Sequence, residues 1–285
     1  MTDFSGTGVA LVTPMNDDGA VDWIGLERLI HHVTDHVNYL VVLGTTGESP
    51  TIYPEERDGI VNFVIEKNKG RLPIVVGFSG NFTDNLVRKI ASLKNPGIDG
   101  ILISSPHYNK PSQEGIVAHY QAVADVSDYP IILYNVPHRT SSNMSADTTL
   151  ALAKHPMIVA MKEASCDLEQ CKKIAESMPE DFLLLSGDDA LTADIINLGG
   201  AGVISVVANG YPELMSTLVT KARSGKAMDD EASATLDRAI ELSGAEGNPT
   251  SIKGALKALG ICEGYTRLPI TPPSPDLIKK FGEIK

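Results

Sequence analysis

The sequence predicts an α/β protein built as a (β/α)8 TIM barrel with a C-terminal helical extension. Two observations carry that prediction. Eight short apolar runs recur along the chain, each bounded by turn residues, and such runs mark parallel strands buried on both faces. Between them apolar residues repeat at helical spacing, giving β–α units joined by mostly short connections. An open doubly wound sheet is the alternative. Its nucleotide-binding fingerprint is missing, because Gly6-Thr7-Gly8 precedes a strand instead of following one and no third glycine completes it.

The strands are expected, in order, at Gly8–Val12, Tyr39–Leu43, Pro73–Gly77, Gly100–Ser104, Pro130–Tyr134, Met157–Met161, Phe182–Ser186 and Gly202–Val206. After the first, Trp23, Leu26, Ile30 and Val33 share one helical face; Leu86–Leu93, Ile116–Val126 and Leu168–Met178 show the same period. Asp22, Thr83, Ser112, Ser145 and Asp167 stand at N-cap positions. Strand signals stop near residue 225. Asp229–Ser243, Thr250–Leu259 and Pro275–Phe281 read as added helices, so residues 1–225 are assigned to the barrel and 226–285 to the extension.

Composition narrows the partners. The chain has 285 residues, 42% of them hydrophobic, enough for a large core, and its net charge of −12 argues against nucleic acid or an anionic membrane as partner. Three cysteines, Cys166, Cys171 and Cys262, are too few and too irregular for a disulfide framework or a zinc site. The first apolar stretch, Val9 to Val12, is too short for a signal peptide or a span, so a cytoplasmic protein is expected. His32 and His36 lie four apart on the first helix, but no third ligand accompanies them, and an exposed helix face is the expected reading.

In a barrel of this kind the chemistry sits on the loops after the strands, so the eight strand ends can be inspected as one concave site. Lys162 closes the run Met157-Ile158-Val159-Ala160-Met161. An ammonium there is costly to desolvate, and burial favours the neutral amine, the nucleophilic form that attacks a keto acid. A lysine snorkelling to solvent is the competing reading. Alternation puts Ile158, Ala160 and Lys162 on one face, with small Ala160 leaving room beneath the amine. After the second strand, Gly44-Thr45-Thr46-Gly47-Glu48-Ser49 offers backbone N–H groups and hydroxyls to a small carboxylate, although a plain turn would read the same. Tyr134 follows an apolar run and needs a partner for its hydroxyl, with a structural core tyrosine as the competing reading. Arg139 could fork onto a carboxylate, although a surface salt bridge is commoner for an isolated arginine. The other strand ends carry Tyr108 on a proline-braced loop, Ser186-Gly187-Asp188-Asp189, and Val203-Ile204-Ser205.

These residues resemble the pyruvate-dependent class I aldolases of the dihydrodipicolinate synthase and N-acetylneuraminate lyase family. The similarity runs from Gly8-Val9-Ala10-Leu11-Val12-Thr13-Pro14 to Asn248-Pro249. Its most specific elements are Gly44-Thr45-Thr46-Gly47-Glu48-Ser49, Tyr134-Asn135-Val136-Pro137 and Lys162-Glu163-Ala164. Arg139 and Gly187-Asp188-Asp189-Ala190 are closer to the synthase branch, which condenses pyruvate with L-aspartate 4-semialdehyde at the head of diaminopimelate and lysine biosynthesis.

The resemblance implies a Schiff base on Lys162, with no metal or organic cofactor. Tyr134, Thr45 and Tyr108 would pass protons, Thr46 would bind the pyruvate carboxylate, and Arg139 the semialdehyde carboxylate. The Ile204 carbonyl and Gly187 would line the substrate site. It also implies a homotetramer, a dimer of dimers, in which Tyr108 reaches a neighbouring site. Ser49, Asn81, Asn85 and His107 would fall in the pocket where some members bind lysine as inhibitor. Asn85 stands where a glutamate grips the inhibitor's amino group, and Pro54 and Arg57 replace two histidines, so weak or absent lysine inhibition is expected. A sister aldolase or dehydratase acting on sialic acid or a keto-deoxy sugar acid stays open, as does a silent binding paralogue.

Overall fold

The computed structural model describes residues 2–284. Eight strands close into a parallel barrel in sequence order: β1 (Gly6–Ala10), β2 (Tyr39–Val42), β3 (Ile74–Phe78), β4 (Gly100–Ser104), β5 (Ile131–Asn135), β6 (Ile158–Glu163), β7 (Leu183–Ser186) and β8 (Gly202–Ser205). The connecting helices are α1 (Trp23–Thr34), α2 (Pro54–Asn68), α3 (Thr83–Ser92), α4 (Gln113–Ala124), the short α5 (Pro137–Thr140), α6 (Ala146–Leu152), α7 (Leu168–Ser177), α8 (Thr192–Asn197) and α9 (Pro212–Arg223). Three more follow: α10 (Asp230–Gly244), α11 (Thr250–Ala258) and α12 (Pro275–Gly282). Each expected strand forms, as does each expected helix.

Four of the five expected caps hold. The side chains of Asp22, Ser112, Ser145 and Asp167 accept from the backbone N–H three residues on, satisfying a donor the helix leaves free. Thr83 is instead the first residue of α3, with Phe82 at the cap, and its hydroxyl is engaged with His119 Nδ1 at 3.0 Å. A tertiary partner has outcompeted the local amide.

The core has two layers. An outer cluster packs strand residues such as Leu40, Val76, Ile101, Leu133 and Met161 against the helices, and takes in Leu236, Ile252, Leu256 and Phe281 of the extension. An inner cluster, including Val41, Val75, Leu102, Ile132, Leu185 and Ile204, fills the barrel itself. Phe4 closes the barrel at the N-terminal ends of the strands, its ring edge-on to Tyr39 with centroids 5.6 Å apart. That plug explains a misreading of the sequence. Gly6-Thr7-Gly8 lies within β1 and does not precede it: a Cβ on Gly8 would lie 2.3 Å from carbons of the Tyr39 ring, and one on Gly100 would meet Phe4 at 2.8 Å.

Strand β6 departs from simple alternation. Ile131 pairs with Ile158 and Ile132 with Ala160, so Val159 is an extra, bulged residue. Ala160 and Val159 face the barrel interior while Ile158 packs in the outer cluster. The expected common face of Ile158, Ala160 and Lys162 is thus corrected: the bulge resets the alternation, and Ile158 points the other way. His36 is corrected as well. It lies beyond the end of α1 and is exposed, while His32 Nε2 is held 3.1 Å from the Gly210 carbonyl oxygen.

Candidate active site

Lys162 is 4% exposed at the C-terminal end of β6, opposite Tyr134 of β5 on one side and Leu185 of β7 on the other. Its Nζ lies 4.4 Å from the centre of the Tyr134 ring. The snorkelling alternative therefore fails, because the amine stays within the barrel mouth. Tyr134, itself 7% exposed, lines a cavity of about 70 Å³ together with Gly44, Thr45, Ser49, Leu102 and Ser104. A few heavy atoms fill such a space.

The turn after β2 supplies its donors. Among the described residues, no protein acceptor takes the backbone N–H of Thr45 or Thr46, although Thr46 is 2% exposed. Two successive free amides make a concave seat for an anion. The Thr46 hydroxyl accepts from Asn248 Nδ2 at 3.0 Å, and Arg139 Nη2 donates to the Asn248 carbonyl at 3.2 Å. Arg139 lies on α5, exposed, at the rim of the site.

Behind the lysine, on the helix side of the sheet, Glu163 is 1% exposed. Its carboxylate accepts from Asn135 Nδ2 at 3.0 and 3.1 Å, Gln170 Nε2 at 2.9 Å and the Ser165 amide at 2.8 Å. Burial pushes its pKa up, and those donors partly restrain the rise. Asn135 also accepts from the Met144 amide at 2.9 Å, so the network ties the ends of β5 and β6 to the chain entering α6. Across the mouth, the Asp189 carboxylate accepts from the Val206 and Val207 amides at 3.0 and 2.9 Å, joining the ends of β7 and β8. Burial raises its pKa too, against the pull of those bonds.

Gly187 fits only as glycine. Its N–H donates to the Glu163 carbonyl at 2.7 Å, and a Cβ would meet Ala164 Cβ at 2.7 Å and that carbonyl oxygen at 3.0 Å. Ile204 lies fully buried in the inner cluster beside Gly8. Cys166 is exposed, but burial of its sulfur and the nearby Asp188 push the thiol up, away from the reactive thiolate.

Tyr108 stands apart. It is 85% exposed at φ 72°, and among the described residues no hydrogen bond links it with Thr45 or Tyr134. The four effector-pocket residues fall into two groups. Ser49 accepts from Arg57 Nη1 at 2.7 Å, beside a groove of about 790 Å³ between α2 and α3. Asn81 Nδ2 donates to the His107 carbonyl at 3.2 Å outside that groove, and Asn85 is exposed on α3. Sequence reasoning quoted Asn135, Glu163 and Asn248 within its motifs but gave none of them a role, and it did not single out Gln170 or the Asn135–Glu163–Gln170 network. The signal for that network is a glutamate inside a strand buried throughout.

The Dihydrodipicolinate synthetase family profile matches residues 3–284. A 4-hydroxy-tetrahydrodipicolinate synthase of Flavobacterium psychrophilum is 43% identical, over 99% of this chain and 97% of its own. Among solved structures, a monomeric dihydrodipicolinate synthase variant superposes with a TM-score of 0.94 at 35% identity, covering 99% of this chain and 95% of that one. The chloride-inhibited dihydrodipicolinate synthase of Acinetobacter baumannii, complexed with pyruvate, gives a TM-score of 0.91 at 36% identity, with coverages of 99% and 98%. Matched from end to end in sequence and in fold, the chain belongs to the dihydrodipicolinate synthetase family.

Proposed function

We propose that this protein is a 4-hydroxy-tetrahydrodipicolinate synthase, condensing pyruvate with L-aspartate 4-semialdehyde through a Schiff base on Lys162. The observation that carries the reading is the buried Lys162 amine 4.4 Å from the Tyr134 ring, at a mouth that also holds the free amides of Thr45 and Thr46. The names of its relatives support it.

The pyruvate carboxylate binds at Thr45 and Thr46, and the lysine nitrogen attacks the ketone carbon. The carbonyl oxygen leaves as water, with Tyr134 passing protons between nitrogen and oxygen. The protonated imine is an electron sink, so a methyl proton departs and an enamine forms. The enamine carbon attacks the aldehyde, whose distal carboxylate is gripped by Arg139. The amine of the second substrate then attacks the imine carbon, closing the ring and expelling the lysine. The iminium supplies the electron sink, and the scheme calls for no metal or organic cofactor.

We also propose a homotetramer, in which Tyr108 serves a neighbouring site; its 85% exposure supports this, although a relative is described as a monomeric variant. Lysine inhibition is expected to be weak, because Asn85 offers no charge to an ammonium and neighbouring Asp84 is paired with Arg88 at 2.9 Å. Analytical ultracentrifugation and an assay with added L-lysine address these two points.

Borohydride trapping with pyruvate, read by intact mass and peptide mapping and followed by addition of the semialdehyde, tests the main reading. An adduct on Lys162 with semialdehyde consumed is the expected result. An adduct without consumption would transfer the protein to a sister aldolase. No adduct on a folded protein would overturn the enzyme reading.

A further inference from the structure

The turn that carries Thr45 and Thr46 is tied to the C-terminal extension by an ion pair. Glu48, two residues past Thr46, meets Lys253 of α11, and both side chains are 0% exposed. Lys253 also donates to the Tyr265 carbonyl at 2.7 Å, and the Arg267 amide approaches Glu48 Oε2 at 3.4 Å. The Glu48 backbone is held at φ 58°, in the left-handed region that a non-glycine residue seldom adopts. Its amide reaches back to the Thr45 carbonyl at 3.1 Å, closing the turn that presents the two free N–H groups. The extension grips the same turn a second time through Asn248 and the Thr46 hydroxyl.

A buried ion pair stabilises a fold little compared with well-packed apolar side chains, because both charges lose their water. What it does is specify one geometry. Either charge left alone is strongly unfavourable, so the Glu48 backbone is confined to the place where its carboxylate meets Lys253. We infer that Glu48 and Lys253 are positioning residues: the pair fixes the Thr45–Thr46 turn from the extension, setting the seat for the substrate carboxylate. This rests on reading that turn as the carboxylate site.

The full-length double variant Glu48→Gln/Lys253→Met removes both charges together and leaves neither unpaired. Without ligand, faster hydrogen exchange in residues 44–48 with unchanged protection in residues 158–163 is expected. The pyruvate KM should rise about tenfold or more, with kcat within about threefold of the parent. Equal loosening of both segments, or unchanged exchange and KM, would overturn the inference. Should the double variant fail to fold, the parent protein decides. Pyruvate should then slow exchange in residues 250–267 together with 44–48, and no effect at 250–267 would refute the coupling. Adduct formation on the parent tests the carboxylate-site reading separately: its loss removes that reading, while the ligand-free exchange contrast still judges the positioning.

Discussion

Lys162 and Tyr134 occupy the same rung of neighbouring strands, with the amine 4.4 Å from the centre of the phenol ring. The face of an aromatic ring attracts a cation, and a protonated imine at that nitrogen carries the same sign of charge. The tyrosine thus offers two separable contributions, a ring face and a hydroxyl.

Tyr134→Phe separates them. The ring remains and the proton carrier goes, so kcat is expected to fall by about a hundredfold, within the range of general acid–base catalysis. The borohydride-trapped adduct should still form, more slowly. Steady-state rates and a trapping time course check this, and an unchanged kcat would remove the hydroxyl from the mechanism.

Gly187→Ala forces a methyl group against Ala164 and the Glu163 carbonyl. Overpacking of this kind costs about 1–3 kcal/mol, and here the strain falls on the residue next to the lysine. A lowered Tm with an activity loss of about tenfold or more is expected from melting curves and steady-state kinetics. Parental values in both would mean that the β6–β7 rim yields freely.

His119 gives a pH signature. It is 3% exposed, with its Nδ1 at the Thr83 hydroxyl, and burial pushes its pKa below the ordinary value of 6.5. The unfolded chain therefore takes up a proton before the folded one does, and stability falls as pH drops below about 6.5. His119→Phe removes that proton. Between about pH 7 and about pH 5 its stability curve should be flatter than the parent's, by up to about 1.4 kcal/mol per pH unit. Parallel curves from urea titrations would contradict the assignment.

Phe4→Ala opens the end of the barrel remote from the lysine. Phe4 is 0% exposed, and the cavity left should cost about 3–5 kcal/mol. Pyruvate adduct formation by the folded variant at 25 °C is expected to persist, since Phe4 lies among the N-terminal ends of the strands. A lost adduct in a folded variant would tie the plug to the chemistry.

What the sequence displayed and what it concealed have physical reasons. Lys162 was legible because a lone charge in an apolar run is expensive, but alone it also read as a strand-end lysine snorkelling to solvent; the residues at the other strand ends tipped the reading. The eight strands were legible from continuous apolarity. The bulge at Val159 was not, since an extra residue in a strand leaves no mark when it is as apolar as its neighbours. The start of β1 was hidden for the opposite reason: two glycines weaken a strand signal until the Tyr39 ring that demands one of them is seen. Thr83 had the side chain of a cap but a better partner in His119. The Glu48–Lys253 pair joins segments far apart in sequence, and neither residue breaks a local pattern strongly enough to announce the other.

Because the fully buried Phe4 and Tyr39 fill the end of the barrel remote from Lys162, reactants reach the amine from the opposite end, the mouth at the C-terminal ends of the strands. In a two-substrate reaction an approach from one end imposes a queue. The molecule that settles deepest must enter first, and the water expelled on imine formation must leave by the route the second reactant arrives on. Order of events is then a property of the architecture, present before any loop moves.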